Sequence, residues 1–193
     1  MTGRLIGIGG YAGTGKDAVA TILEDSHGFY GTFMSQPLNA AMCRLNPQVE
    51  VRRGEVFRYV DLINQLGYTR AKELPEVRRL LQAMGTEVGR DMFGQTIWVD
   101  LMEQTLAGYK PDDDVVVTGI RFPNEASMIR ELGGELWWMY RPGYGPVNSH
   151  SSDNTLSLRH FDRVVVNDGT LEDLEQLVTK MLQNQSSSNN HSK

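Results

Sequence analysis

Between an apolar run at residues 4–8 and a helix-forming stretch that begins at residue 17, the chain reads Gly10-Tyr11-Ala12-Gly13-Thr14-Gly15-Lys16-Asp17. Few eight-residue segments restrict a fold so strongly. The pattern is G-x-x-x-x-G-K, and it lies after a predicted strand and before a predicted helix, the context the pattern needs. Glycines let the backbone curl until its N–H groups converge. The helix N-terminus adds partial positive charge, and lysine adds a full one. Such a loop cradles phosphates. Gly10, Ala12, Gly13, Thr14 and Gly15 form the cradle, and Lys16 reaches the β- and γ-phosphates, stabilising charge as a phosphoryl group moves. Asp17 stands where Ser or Thr is usual. Its carboxylate either binds Mg²⁺, directly or through water, or serves only as the helix N-cap.

The rest of the chain alternates strands and helices. Strands are predicted at residues 4–8, 29–34, 115–118, 135–140 and 163–166. Helices are predicted at 17–25, 37–45, 54–67, from Pro75 onward, 96–107, 125–132 and after Thr170. This alternation implies an α/β fold with a central parallel sheet flanked by helices. The helical stretch at about 36–110 sits between the second and third strands and reads as a substrate-binding or lid insertion within one domain, 1–184. Residues 142–154 are rich in Gly, Pro, Ser and Asn and read as a loop, a candidate lid. Residues 185–193 are polar and of low complexity, and read as a disordered tail.

The helix opened by Pro75 carries Val77, Leu81, Met84 and Val88 at steps of four, three and four, one apolar face. Arg79, Ala83, Thr86 and Arg90 share the opposite face. Gly85 and Gly89 cost helix stability and would let a ligand or another backbone come close.

A formal net charge of −5 argues against a chain that coats a nucleic-acid polymer. One cysteine, Cys43, forms no internal disulfide, and no apolar run approaches a membrane span, so a soluble protein of the reducing cytoplasm is expected. A phosphate loop by itself names no reaction. The Asn-Lys-x-Asp motif of GTPases is absent and 193 residues is short for a helicase motor, which leaves a small-molecule kinase as the best fit.

Several segments carry a more specific likeness. The stretch Leu80-Leu81-Gln82-Ala83-Met84-Gly85-Thr86-Glu87-Val88-Gly89-Arg90 with Trp98 following, Arg121-Phe122-Pro123-Asn124-Glu125-Ala126, Arg141-Pro142, His150-Ser151-Ser152-Asp153 and the Gly-Lys-Asp end of the phosphate loop together resemble the bacteriophage deoxynucleoside monophosphate kinases. The resemblance runs from about Leu5 to Leu182. It implies an adenylate-kinase-like P-loop NTPase fold, transfer of the γ-phosphoryl of ATP to a deoxynucleoside monophosphate (dNMP) for phage nucleotide supply, Mg²⁺ as cofactor, the cytoplasm of an infected host, and room for a homodimer. Kinases of other small phosphorylated acceptors, and a catalytically weakened nucleotide-binding relative, are the competing readings.

Two phosphates held close and in line demand cations beyond Lys16. Arg90 is read as a ligand of the dNMP phosphate, and Arg79 as a second one. For both, a solvated helix face is the alternative. Glu87 either orients Arg90 or the sugar, or is simply exposed. Trp98 either stacks on a base or belongs to the core. Arg121 follows a central strand and is read as facing phosphate, and Arg141 as lying near the adenine or the ATP phosphates; structural salt bridges are the alternative. Four positions depart from the family pattern, one of them Asp153 in place of the loop's usual Glu. Gln36 and Asn39 replace Asp and Lys, and Gly119 stands where a strand-end carboxylate is usual, which bears on substrate handling and on Mg²⁺.

Overall fold

The apolar run that precedes the phosphate loop becomes the centre of a sheet. The computed structural model describes residues 2–145, 156 and 158–189, without the side chains of 185–189. It divides into two compact units, Met1–Met34 with Tyr109–Lys193, and Ser35–Gly108.

In the first unit, β1 (Leu5–Gly10), β2 (Tyr30–Phe33), β5 (Val115–Ile120), β6 (Glu135–Tyr140) and β7 (Arg163–Val166) form one parallel sheet in the order β2-β5-β1-β6-β7. β1 and β5 are buried nearly throughout, as strands covered on both faces must be. On one face, α1 (Lys16–His27) and α7 (Leu171–Asn189) pack Val19, Ile22, Leu23, Leu174 and Val178 against Ile6, Ile8, Val116, Trp137, Met139 and Val165. α6 (Pro123–Glu131) covers the other face of β1 and β6. Gly7 lets this helix approach, because a Cβ there would press on Ile129 Cγ1 at 3.0 Å and Leu136 Cδ2 at 2.9 Å.

From β1 the chain crosses over to β2 on one side, and from β5 it crosses to β6 on the other. The crevice outside the C-terminal ends of β1 and β5 is therefore the topological switch point, where open α/β sheets bind ligands. The phosphate loop leaves β1 there, and Arg121 leaves β5 there.

The second unit holds α2 (Gln36–Leu45), the antiparallel hairpin β3 (Gln48–Arg52) and β4 (Glu55–Arg58), α3 (Tyr59–Ala71), α4 (Pro75–Ala83), a π-helical segment Met84–Phe93, and α5 (Ile97–Ala107). Its core gathers Leu38, Met42, Val49, Tyr59, Leu62, Val77 and Trp98.

Three expectations change. Residues 54–67 are not one helix: 55–58 pair with β3, and the helix begins at Tyr59. Val49 is buried between exposed Gln48 and Glu50, a period-two pattern. Gly54 turns the hairpin at φ +81°, a conformation that glycine adopts freely. Val56, which with Tyr59, Val60 and Ile63 fits helical spacing, is exposed. Second, the helix opened by Pro75 passes into π-helix at Met84. Bonding from i to i+5 widens each turn and rotates later residues away from their α-helical positions. The buried residue of the segment is accordingly Gly89 rather than Val88. Third, α7 continues to Asn189, into the polar stretch read as a disordered tail. Extending an anchored helix adds one hydrogen bond per residue without a new nucleation cost. Residues 190–193, and the candidate lid residues 146–155 with His150 and Asp153, lie outside the described residues. No helix among the described residues is long and apolar enough to cross a membrane.

Candidate active site

The phosphate loop is held from below and from within. Gly10, Gly13 and Gly15 have φ of +139°, +76° and +99°. Such values strain any residue with a Cβ. Thr14 is fully buried, and its hydroxyl donates to the Tyr11 carbonyl at 2.8 Å, closing the loop on itself. Lys16 folds back over the curl. Its ammonium donates to the carbonyls of Gly10 at 2.9 Å and Tyr11 at 2.6 Å. A cation is thus stationed among backbone dipoles at the start of α1. The N-cap of α1 is Gly15, and Asp17 lies inside the helix, in its first turn. The capping role for Asp17 therefore falls away.

Aromatic side chains brace the loop. Tyr11 meets Trp138 edge-on at 5.3 Å between ring centroids, and Trp138 meets Phe161 at 4.9 Å. Both are edge contacts of the kind that ring quadrupoles favour. Phe161 lies so close over Gly9 that a Cβ there would overlap its ring. Beyond β6, Arg141-Pro142-Gly143-Tyr144 makes a tight turn. The Tyr144 N–H donates to the Arg141 carbonyl at 3.1 Å and Gly143 has φ +80°, the pattern of a type II turn. The turn brings the Tyr144 ring onto Gly13 and sets the Arg141 guanidinium 5.0 Å from that ring's centroid, within reach of a cation–π contact. Arg141 thus stands beside the loop.

Arg121 is exposed at the loop's other flank. A small cavity of about 40 Å³ is lined by Gly10, Tyr11, Ala12, Ile120, Arg121, Trp138 and Leu156. The turn that carries Arg121 is fixed by Glu125, which is 5% exposed. Its Oε2 accepts the backbone N–H of Arg121 at 2.7 Å and of Phe122 at 3.1 Å. These bonds satisfy donors that the start of α6 leaves open. The sequence signal of Glu125 is a glutamate at the third position of a helix opened by proline.

Asp17 opens onto a cleft of about 250 Å³ lined also by Ala20, Thr21, Glu24, Gly31, Thr32, Phe33 and Thr118. No group of three or more acidic, histidine or cysteine side chains gathers among the described residues. The exposed Asp17 carboxylate, next to a phosphate cradle, is nevertheless a donor that suits Mg²⁺, while Glu24 at the same cleft accepts the Gly31 N–H. That ion binds through one or two carboxylates, water and substrate phosphates. Gly119 sits at φ +82° where the β1–β5 register slips, with open space around it. A carboxylate-bearing residue would meet backbone strain at this position, not a clash.

The other candidates belong to the second unit. Arg79 is exposed and doubly hydrogen-bonded to Glu76, at 2.8 and 2.6 Å. Those hydrogen bonds hold the Glu76 carboxyl below its ordinary range and raise Arg79. Arg90 is half-buried at the end of the π-helical segment, where Nη1 donates to the Gln95 carbonyl at 3.0 Å. The π-helical turns take Arg79 and Arg90 off the common stripe that α-helical spacing predicts. Glu87 is exposed.

Trp98 is a packing residue of this unit, not an open face for a base. It is 7% exposed, its indole N–H donates to the Gly85 carbonyl at 2.8 Å, and its ring lies on Gly89. Of the two glycines read as room for a ligand, Gly89 makes room for this indole, and a Cβ on Gly85 would meet Leu38 Cδ1 at 3.0 Å. Gly89→Ala would put a Cβ 2.5–2.6 Å from three ring atoms. It is expected to destabilise by about 1–3 kcal/mol, read as a lower urea midpoint with unchanged m-value.

Asn39 is tied to Tyr59, whose hydroxyl donates to Asn39 Oδ1 at 2.8 Å. Burial pushes the Tyr59 hydroxyl far above its ordinary range, so it remains a neutral donor. The carboxamide is thereby part of the α2–α3 packing, an uncharged role where the family pattern carries lysine.

The family model for deoxynucleotide monophosphate kinase matches residues 68–178. A homologue from Acanthamoeba polyphaga mimivirus is 31% identical over an alignment of 204 residues that covers 96% of this chain and 99% of that protein. The deoxynucleotide monophosphate kinase of Escherichia phage RB69 is 32% identical over 108 residues, 55% of this chain; the match spans 44% of the phage enzyme, under half of its length. Among solved structures, dephospho-CoA kinase from Campylobacter jejuni aligns over 95% of this chain and 98% of its own, at 14% identity and a TM-score of 0.48.

Proposed function

This chain belongs to the deoxynucleotide monophosphate kinase family, and from that membership we propose that it transfers the γ-phosphoryl group of ATP to a deoxynucleoside monophosphate, giving ADP and the deoxynucleoside diphosphate. The observation that carries the reading is the stationed ammonium of Lys16 inside a closed glycine loop, with Arg121 at the flank of the same cavity.

The mechanism is positioning and charge stabilisation, with no covalent enzyme intermediate. The loop's N–H groups and the start of α1 bind the donor phosphates. The bound phosphates take over the Lys16 ammonium from the Gly10 and Tyr11 carbonyls, and Lys16 then offsets negative charge that builds on the transferred group. Arg121, held by the Glu125-fixed turn, neutralises phosphate on the cavity's other side. Arg141, stacked on Tyr144, flanks the donor. Arg90, with Arg79 and Glu87, is assigned to the acceptor nucleotide; a guanidinium grips a monophosphate through paired hydrogen bonds. Asp17, in a cleft that Thr118 also lines, would hold Mg²⁺. When bound, that ion would supply positive charge to offset that of the phosphates.

The test is ADP release from Mg·ATP with each of the four common deoxynucleoside monophosphates. Turnover with at least one, and none with water alone as acceptor, is the expected result. A folded protein that releases no ADP with any of the four overturns the reading, and turnover confined to another phosphorylated acceptor replaces it.

A further inference from the structure

A phosphate cradle works only if each of its peptide planes is turned the right way. A trans peptide is planar, and its C=O and N–H point in opposite directions. Whatever captures the carbonyl of Thr14 therefore also sets the direction of the Gly15 N–H.

The captor here is Asn167, the residue that follows β7. Its Nδ2 donates to the Thr14 carbonyl at 3.0 Å, joining positions 153 residues apart. Asn167 is itself anchored, because its backbone N–H donates to the Tyr140 carbonyl at 2.8 Å. That bond carries the β6–β7 ladder one residue beyond the Tyr140–Val166 pair. The carboxamide thus stands on the rigid end of the sheet.

The other side of the contact is shaped to receive it. Gly15 has φ +99°, and a Cβ on it would overlap Asn167 Nδ2. Glycine is needed here for the backbone conformation and for the close approach. The Thr14 side chain, fully buried and bonded to Tyr11, fixes the peptide from the inner side. Among the described residues the Gly15 N–H donates to no protein acceptor, as expected of a donor kept for a ligand.

We infer that Asn167 is a positioning residue for phosphoryl transfer. By holding the Thr14 carbonyl on the outer side of the loop, it aims the Gly15 N–H at the terminal phosphates of the donor nucleotide. This deepens the kinase reading and rests on it. Asn167 acts through the loop and not on the base, and that distinction is measurable.

The experiment compares wild type with Asn167→Ala and with Asn167→Asp, which keeps the shape but lacks the donor. Displacement of a fluorescent ATP analogue by ADP and by AMP is read alongside steady-state kinetics and the melting temperature. Loss of one hydrogen bond to an aligned peptide weakens ADP about tenfold in both variants. AMP, which has no phosphate beyond the first, changes less than about twofold. kcat/KM for ATP falls with ADP affinity, while KM for the deoxynucleoside monophosphate stays put. A role confined to stability would lower the melting temperature and leave the ADP-to-AMP ratio alone, which overturns the proposal. Equal losses for ADP and AMP would put Asn167 on the nucleoside and also overturn it, as would unchanged ADP binding. If wild type fails to bind the ATP analogue at all, the kinase reading falls, and this proposal with it.

Discussion

Lys16→Ala is expected to lower kcat for ADP release by about 10²–10³-fold or more while the protein stays folded. The ammonium is the full charge that the structure stations inside the loop, by way of the Gly10 and Tyr11 carbonyls. Charge that develops in the transition state is worth most to a donor that is already oriented, since no reorganisation is needed at the moment of transfer. The same substitution costs little stability. The loop is closed by Thr14 and Asn167 independently of the lysine, and the two carbonyls released by Lys16 lie at a partly open surface. Steady-state kinetics at saturating ATP and acceptor, with a urea melt on the same sample, makes the measurement. Activity within about threefold of wild type would remove Lys16 from the mechanism.

Glu125→Ala is expected to destabilise the protein by about 2–4 kcal/mol. It leaves two backbone donors, those of Arg121 and Phe122, without their acceptor at a buried position. It also removes a negative charge from the N-terminal turn of α6, where the helix dipole favours one. The effect extends to function, because the same two hydrogen bonds set the direction in which the chain leaves β5 with Arg121. Turnover of the folded fraction should fall about tenfold or more, as misplacement of a charged group in phosphoryl transfer costs far more than its distance suggests. Glu125→Gln keeps an oxygen acceptor and should recover much of the stability. Urea midpoints for the three proteins, with kcat measured well below each transition, test both halves. A loss under about 1 kcal/mol for the alanine variant would mean that water replaces the carboxylate.

Local chemistry carried much of this structure into view. The run at residues 4–8 and the glycine loop predict a strand, a turn and a helix, since apolar β-branched residues, glycines and a lysine leave the backbone few choices over so short a stretch. Val115, Val116 and Val117 of β5 are apolar without alternation, as a strand buried on both faces requires. Pro75 and Thr170 mark helix starts because the missing N–H of proline and the hydroxyl of threonine suit a first turn. The hairpin β3–β4 escaped because Val56, Tyr59, Val60 and Ile63 also fit helical spacing. Over roughly four to eight residues the two periods overlap, and only pairing with a second strand separates them.

The candidate site divides in the same way. Lys16, Asp17 and the loop glycines were legible because their chemistry is local in sequence. Arg121 and Arg141 were legible as charges at strand ends; Glu125 carries a local signal as the third residue of a helix opened by proline, whereas Tyr144 reaches Gly13 through a turn whose geometry follows from φ. The π-helical winding after Met84 was hidden, because one wider turn leaves no mark on composition, yet it moves Arg90 off the stripe of Arg79. Trp98 fits either a stacking face or a core residue until the fold lays its ring on Gly89 and its indole N–H on the Gly85 carbonyl.

The family, the strand–loop–helix around Lys16 and the parallel α/β class can be read from the chain alone, because each rests on short motifs and on the order of locally formed elements. Which groups aim the cradle depends on packing between distant segments. Asn167 meets Thr14 across 153 positions because β7 and β1 both end at the C-terminal end of one parallel sheet, and a hydrogen bond between strand ends leaves no trace in either segment alone.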